Sequence, residues 1–166
     1  MSRYTTLWKH AQTYFQKDDD FSLRGKRAAA DALLGLARYL EAPQERIRFG
    51  PPDAKLTDDE GWTAVGAIRD EGEDGWFGGC LLLHSESSPR SVLKFVISAR
   101  PDHEKIAFRT LGNAPIHYAA SVADAEMQAF YERIFNVSVE IFQSTPEDVH
   151  AGRLASRPIG FLAKIG

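Results

Sequence analysis

The sequence predicts an α+β fold with an N-terminal helical hairpin, an antiparallel β-sheet meander of about five or six strands, and a further helix packed on one face of the sheet. Apolar residues recur every three or four positions before Pro43. Between residues 46 and 111 they form short runs bounded by turn residues, and after Ser121 the helical spacing returns. The 166 residues, 43% of them hydrophobic, suit a single α+β domain spanning 1–166.

Two helices are predicted before Pro43. The first carries one apolar stripe, formed by Tyr4, Leu7, Ala11, Tyr14 and Phe15. The run Asp18-Asp19-Asp20 interrupts this pattern and predicts a short acidic linker. The second helix begins near Asp20 or Ser22, where a side chain can accept from the free N–H groups of a first turn. It ends at Pro43, so an antiparallel hairpin is expected.

The central segment predicts a meander of short strands. A first short strand is expected at Arg46–Phe49. Four consecutive strands should follow at 62–69, 76–84, 91–99 and 105–111. Their hairpin loops are Asp70–Gly75, Ser85–Arg90 and Arg100–Glu104, with Pro101-Asp102 at the centre of the last turn. A final short strand is expected at Ile116–Tyr118.

The C-terminal segment predicts another helix and a strand. Ser121 and Asp124 resemble a capping box that opens a helix ending at Asn136. Its expected buried side comprises Ala123, Met127, Phe130, Ile134 and Phe135. Alternation over residues 137–141 then predicts a strand, and Thr145-Pro146 starts a short helix that ends near Ala155. The apolar residues of 158–162 are expected to dock on the body.

Composition narrows the classes of partner and compartment. A net charge of −3 favours neither nucleic acids nor membrane surfaces as partners. Apolar runs fall well short of the roughly 20 residues that cross a bilayer. The opening residues are polar without a cationic-then-apolar leader, and the lone Cys80 cannot form an internal disulfide, so we expect a cytoplasmic protein.

The charge is distributed unevenly along the chain. Residues 53–74 carry eight acids and two bases, a net charge of −6, which leaves +3 for the rest. We call seven of these acids the acidic edge: Asp58, Asp59, Glu60, Asp70, Glu71, Glu73 and Asp74. The acidic edge predicts docking of a basic protein partner. For Trp76, which lies beside it, the core is the ordinary position, and an exposed Trp76 would be a recognition anchor.

Two other interpretations of the acidic loop stay open. A charged, glycine-containing hairpin tip is most often a plain solvated turn. Counting from Asp70, the third position is Gly72 and the twelfth is Leu81, so the familiar calcium-loop pattern is absent. A weak magnesium site needs only one or two carboxylates. No metal ligand and no cofactor is predicted.

Catalytic candidates centre on Cys80. On one strand, Cys80 and His84 share a face but lie about 13 Å apart, too far for a hydrogen bond. A nucleophilic dyad would need a histidine from another strand, for which His117 is the best candidate, with Tyr118 beside it. The ordinary interpretation of Cys80 is a small buried hydrophobe. Gly78-Gly79 indicates a bulge or a close backbone approach rather than a phosphate cradle.

Two hypotheses about function follow. The first is a non-catalytic interaction protein, such as an adaptor, a chaperone or an inhibitor-like antidote, whose acidic edge binds a basic partner. The alternative is a small-molecule-binding protein or enzyme with a pocket between sheet and helices, where Cys80, His84, His117 and Tyr118 would lie. The sequence indicates neither the partner nor the oligomeric state.

Overall fold

The computed structural model describes residues 1–55, 61–72, 74–85, 91–110, 115–144, 147 and 160–164. Its elements in chain order are α1 (Arg3–Tyr39), a 3₁₀ turn (Gln44–Arg46), β1 (Ile47–Gly50), β2 (Arg69–Asp70), β3 (Phe77–His84), β4 (Ser91–Asp102), β5 (Lys105–Arg109), β6 (His117–Ala119), α2 (Ala125–Gln143) and β7 (Gly160–Lys164). The predicted α+β class, with helices packed on an antiparallel sheet, is confirmed.

The predicted N-terminal hairpin is wrong, because α1 is one continuous helix of 37 residues. Ser2 caps its start by accepting a hydrogen bond from the Thr5 amide at 3.1 Å. The run 18–20 contains no proline or glycine, and aspartate costs only about 0.7 kcal/mol in a helix interior. Three aspartates therefore lower helix propensity without breaking the helix. The end before Pro43 is confirmed: α1 stops at Tyr39, and Glu41 follows with a positive φ of 51°.

The first half of α1 projects away from the rest of the chain. Every residue from Met1 to Asp20 is exposed except Ala11, which is half-buried. We call Arg3–Asp20 the helical arm; at 1.5 Å per residue it is about 27 Å long. Burial starts at Phe21 and becomes complete further along, at Gly25, Ala28, Ala29, Ala30, Ala32, Leu33, Leu36 and Ala37.

Small residues let the second half of α1 approach the sheet closely. A Cβ atom on Gly25 would clash with the ring of Phe77 and would press on Pro101. A Cβ atom on Gly35 would occupy the position of the Tyr131 hydroxyl on α2. Arg24 also ties α1 to the β4–β5 hairpin, because its guanidinium donates to the carbonyl oxygens of His103 and Lys105. These contacts fix how closely α1 approaches the sheet and how the helix is oriented on it.

The sheet is antiparallel, with the path β1-β3-β4-β5-β6. Both β1 and β2 pair with β3, at opposite ends: Ile47 lies opposite Leu83, and Asp70 lies opposite Phe77. On the far side of β4, β7 pairs with its first residues and β5 with its last. The consecutive pairing of β3, β4, β5 and β6 confirms the predicted meander in this part of the sheet.

Two local predictions in the meander are wrong. Of the expected strand 62–69, only Arg69 lies in a strand, the two-residue β2, and Trp62 makes a single bridge to Phe49. Thr63 turns this segment, because its carbonyl oxygen accepts from the Ala67 amide and its hydroxyl accepts from the Gly66 amide. The last hairpin is also tighter than expected.

That hairpin turns at His103, not at the predicted Pro101-Asp102. The strand β4 continues through Pro101 to Asp102, which pairs with Lys105. A two-residue turn then leaves His103 with a φ of 54°. Two-residue hairpins favour positive φ because the turn must match the right-handed twist of the strands.

The predicted helix end at Asn136 and the strand over 137–141 are also wrong. The helix α2 continues to Gln143, with Val137 and Ser138 on its buried side. The Ser138 hydroxyl donates to the Ile134 carbonyl oxygen at 2.7 Å. Residues 134, 137, 138 and 141 recur at helical spacing. Val137 and Ile141 therefore fit both an alternating strand and one face of a helix.

The remaining C-terminal predictions are only partly described. The helix expected from Thr145 to Ala155 lies outside the described residues, apart from Glu147. Docking of the final apolar segment is confirmed for β7, whose Gly160–Lys164 backbone pairs with Ser91–Phe95 of β4.

The sheet separates two apolar clusters. On the helix side, α1 and α2 cover a large core that includes Leu81, Ile97 and Phe108. On the opposite side, which we call the outer face, lies a smaller cluster of Ala54, Cys80, Leu82, Val92 and Val96. Successive residues of a strand alternate between these two faces, so the register decides which side chains can meet.

Candidate functional site

A polar row crosses the outer face of the sheet. Gly78 of β3 pairs with Ser98 of β4, which in turn pairs with Arg109 of β5. The Glu71 side chain folds over this row from the loop after β2. Its Oε1 accepts from the Ser98 hydroxyl at 2.6 Å, and its Oε2 accepts from the Arg109 guanidinium at 3.2 Å. We call Glu71, Ser98, Arg109, Trp76 and Arg100 the Glu71 cluster.

Gly78 makes this position of Glu71 possible. A Cβ atom on Gly78 would overlap Oε1 of Glu71 and would lie 2.7 Å from the Ser98 hydroxyl oxygen. The sequence predicted a bulge or a close backbone approach at Gly78-Gly79, whereas the groups that approach Gly78 are the side chains of Glu71 and Ser98. Ser98 is itself buried, so its hydroxyl depends on Glu71 for a partner.

Trp76 is buried beneath two arginines. The guanidinium carbon of Arg109 lies 4.0 Å from the centre of its ring, and that of Arg100 lies 4.7 Å away. Only 2% of the Trp76 surface is exposed. The prediction that Trp76 acts as an exposed anchor beside the acidic edge is therefore corrected: it packs inside the Glu71 cluster. Cation–π contacts of this kind contribute about 0.5–2 kcal/mol each.

The acidic edge is divided by the structure. Glu71 points inward with 20% of its side chain exposed and is paired with Arg109, so it is not a free steering charge. Asp70 and Asp74 are exposed, and Asp70 accepts from the Gly72 amide at 2.9 Å. The other predicted members, namely Asp58, Asp59, Glu60 and Glu73, lie outside the described residues.

Asp53 is a further exposed acid, although it is not one of the seven residues of the acidic edge. An open pocket of about 520 Å³ is lined by the loop at 51–53 and by β2 together with the following Glu71. Asp53, Asp70 and Glu71 are three of its six lining residues, and Arg69 is another. The fold therefore gathers acids from both ends of the acidic segment at one side of the sheet.

Cys80 and His117 do not form a dyad. Cys80 belongs to the outer-face cluster, where its thiol donates to the Pro51 carbonyl oxygen at 3.3 Å. The His117 ring lies on the helix side, with its centre 5.4 Å from that of Phe130 on α2. The sheet separates them. Burial raises the pKa of the Cys80 thiol from 9.0 to about 11, with a smaller opposing effect from Lys94, so the reactive thiolate is disfavoured.

The other two residues of the alternative pocket are also apart. His84 lies at the end of β3, on the same face as Cys80. Tyr118 is exposed on that face, but it belongs to β6, three strands away from β3. At about 4.8 Å per strand, β3 and β6 are separated by about 14 Å. Cys80, His84, His117 and Tyr118 therefore do not converge on one pocket.

Sequence reasoning missed the residues that complete the Glu71 cluster. Ser98 and Arg109 lie on strands that were predicted, whereas Arg100 was assigned to a hairpin loop; in the structure, alternation along β4 and β5 places all three on the outer face. The missing information was the register between β3, β4 and β5, which no local pattern supplies. The partner of Glu71 was equally hidden, because it comes from 38 residues further along the chain.

The helical arm is the second candidate site. It exposes five large apolar or aromatic side chains on one side: Tyr4 (70% exposed), Leu7 (69%), Trp8 (47%), Tyr14 (64%) and Phe15 (54%). Tyr4 and Trp8 stack edge to face at 6.4 Å between ring centres. Trp8 extends the predicted stripe by one residue.

We expect Glu71→Ala to destabilise the fold by about 1–3 kcal/mol, because it leaves the buried Ser98 hydroxyl and the Arg109 guanidinium without their acceptor. Asp70→Asn is the matched control, since an amide oxygen can still accept from the Gly72 amide. Urea unfolding measures both variants. Equal stability of Glu71→Ala and wild type would show that the cluster contributes nothing to folding.

We also expect stability to fall with rising pH above about 9. There an unfolded chain loses the Cys80 proton while the folded chain keeps it up to about pH 11. Unfolding is then favoured by up to about 1.4 kcal/mol per pH unit. Cys80→Ser should remove this slope between about pH 9 and 10, below the raised pKa of about 12 that burial gives Tyr131. Equal slopes in wild type and Cys80→Ser would contradict the assignment.

Comparison with models of protein families, with curated proteins and with solved structures found no match to this chain. Among the described residues, no helix is both long and apolar enough to cross a membrane. In the same part of the chain, no three His, Cys, Asp or Glu side chains are grouped as metal ligands would be. The function has to be inferred from the two surfaces described above.

Proposed function

We propose that this chain is a non-catalytic interaction protein whose helical arm makes the main contact with a protein partner. The observation that carries the proposal is the exposed stripe of Tyr4, Leu7, Trp8, Tyr14 and Phe15 on a helix that leaves the body of the protein. A cytoplasmic location goes with this proposal, supported by the single, buried and unpaired Cys80.

The helical arm needs a physical reason to stay helical, because its apolar stripe is exposed. In water, isolated helices of this length are marginally stable, and most helical stability in proteins comes from packing an amphipathic face. The arm gains continuity from the buried half of α1, but its own apolar face packs against no described residue. Contiguous exposed apolar surface of this kind typically marks a protein–protein contact. Aromatic residues are also the side chains most enriched in binding hot spots.

The geometry of the polar residues supports binding over catalysis. The four residues of the alternative pocket are spread over two faces of the sheet. In the Glu71 cluster, the two oxygens of the Glu71 carboxylate accept from the Ser98 hydroxyl and the Arg109 guanidinium. With both oxygens engaged inside the protein, the carboxylate is not free to contact a substrate.

The acidic edge is proposed as a second contact, one that attracts a basic partner. The observation that favours it is the shared open pocket, which brings Asp53 beside Asp70 although the two are distant in sequence. Exposed acids grouped in this way steer a basic partner during its approach and raise the association rate. Glu71 is excluded from this role by its internal ion pair.

We expect the arm variant Leu7→Glu/Phe15→Glu to lose captured partner when the purified protein is immobilised and exposed to an extract of its native host. The charges disrupt an apolar contact, while the fold is unaffected because both side chains project into solvent. Quantitative mass spectrometry measures the captured proteins, with an expected loss of at least about tenfold.

The matched control for the arm is Thr13→Glu/Gln16→Glu, which adds the same charges to the opposite, polar side of the same helix. This control should capture the partner as wild type does. If the apolar-side variant and the control retain the same proteins, the arm is not the contact surface.

We expect the variant Asp53→Asn/Asp70→Asn/Asp74→Asn to fold normally and to slow association with the captured partner by about threefold to tenfold at low salt. Dissociation should change little, because exposed charges act mainly on the encounter. Stopped-flow or surface kinetics at two salt concentrations measures this. Association that is equally fast for variant and wild type at low salt would remove the acidic edge from the proposal.

A further inference from the structure

The apolar stripe of the helical arm continues the face that packs on the sheet. Tyr4, Leu7, Ala11 and Phe15 follow a spacing of three and four that leads through Asp18 to Gly25 and Leu36. The sheet covers the stripe from Gly25 onward, whereas the arm carries the same stripe without a cover among the described residues. The arm therefore presents an uncovered apolar face, as one half of a helix–helix contact would.

We propose that the missing half is the helical arm of a second copy of this chain, packed antiparallel to the first. This inference rests on the proposed function, because it names the partner of the same surface. The stripe is suited to pairing with itself: large side chains flank a small central one, Ala11, which is also the only half-buried residue of the arm. A small residue at the centre lets two helix backbones approach closely.

Charge decides the direction of the pairing. The arm has a basic beginning, with Arg3 and Lys9, and an acidic end, where Asp18-Asp19-Asp20 outweigh Lys17. Asp18 lies in the stripe itself, so a parallel pair would place two Asp18 carboxylates against each other. Like charges facing each other across a helix pair are destabilising. An antiparallel pair instead brings the acidic end of each arm to the basic beginning of the other.

A two-fold axis at Ala11 gives a specific register. Residues whose numbers add up to 22 then lie at the same level along the pair, which packs Leu7 beside Phe15 and brings Arg3 to the level of Asp19 of the second copy. The tip of each arm reaches the level of Phe21 of the other copy, where the packing of that helix on its sheet begins. The length of the arm and the position of the body thus limit how far the two helices overlap.

The surface available is large enough for a modest dimer. Aromatic side chains bury roughly 150–250 Å² each when fully covered. Ten partly exposed side chains from two arms therefore offer on the order of 1,000 Å², near the lower limit for a specific interface. We expect a dissociation constant in the micromolar range, because helix pairing of this size leaves little surplus after the cost of association.

Sedimentation velocity of the purified full chain tests the pairing directly. Wild type should shift from monomer to dimer between about 1 and 100 µM. Leu7→Glu/Phe15→Glu should remain monomeric throughout, and Thr13→Glu/Gln16→Glu should dimerise as wild type does. Circular dichroism and thermal unfolding confirm that each variant is folded, which is expected because these side chains are exposed.

Charge reversal tests the direction. In the antiparallel pair, Arg3→Asp and Asp19→Arg should each weaken dimerisation by about threefold to tenfold at low salt, since each reduces the attraction between the basic beginning of one arm and the acidic end of the other. The double variant Arg3→Asp/Asp19→Arg should restore it. In a parallel pair, residues 3 and 19 face their own copies, so the single variants would bind no worse than wild type.

Three results would overturn this inference. They are a wild type that stays monomeric at the highest concentration, a dimer that persists in Leu7→Glu/Phe15→Glu, and single charge reversals without effect. A monomeric wild type whose arm variant still loses a captured host protein would end the self-pairing and leave the proposed function standing. If the arm variant still dimerised and still captured the host protein, both the self-pairing and the proposed function of the arm would be wrong.

Discussion

The close packing of α1 on the sheet is the constraint on which the rest of the structure depends. Gly25 lies against Phe77 and Pro101 where any larger residue would clash, and the Arg24 guanidinium fixes the helix to the β4–β5 hairpin. These contacts lie near the middle of a continuous helix of 37 residues. Because its second half is held in this way, the first half extends beyond the contact with the sheet, and α1 and α2 leave the outer face of the sheet uncovered.

The uncovered face is used for polar packing instead. A strand places alternate residues on opposite faces, so the side chains that β3, β4 and β5 turn away from α1 form a continuous surface. Glu71, Trp76 and two arginines cover one end of it, and the 51–55 loop covers the other, where Lys94 donates to the Ala54 carbonyl oxygen at 3.1 Å. The acidic hairpin is therefore neither a plain solvated turn nor a wholly free docking tip: Glu71 folds inward, and Asp70 and Asp74 remain outside.

The sequence predicts the parts of the fold that depend on local periodicity. The strands β3, β4 and β5 and the course of α2 follow from alternation and helical spacing, although α2 begins after Asp124 and not after the predicted cap Ser121. The errors arise where one pattern fits two structures: residues 137–141 alternate and also lie on a helical face, and the aspartates at 18–20 resemble a linker although a helix tolerates them. The Glu71 cluster could not be predicted, because it depends on the register of strands that are far apart in sequence.

The three aspartates illustrate how a single local feature can have two physical consequences. As a break in the apolar stripe, Asp18 marks the point where packing on the sheet stops, since a carboxylate cannot be buried there without a partner. As a charge on an otherwise continuous helix, the same residue gives the arm an acidic end opposite its basic beginning. A hairpin would have hidden the stripe within one chain. A continuous helix keeps the stripe outside, and its charge polarity then favours a partner that runs in the opposite direction.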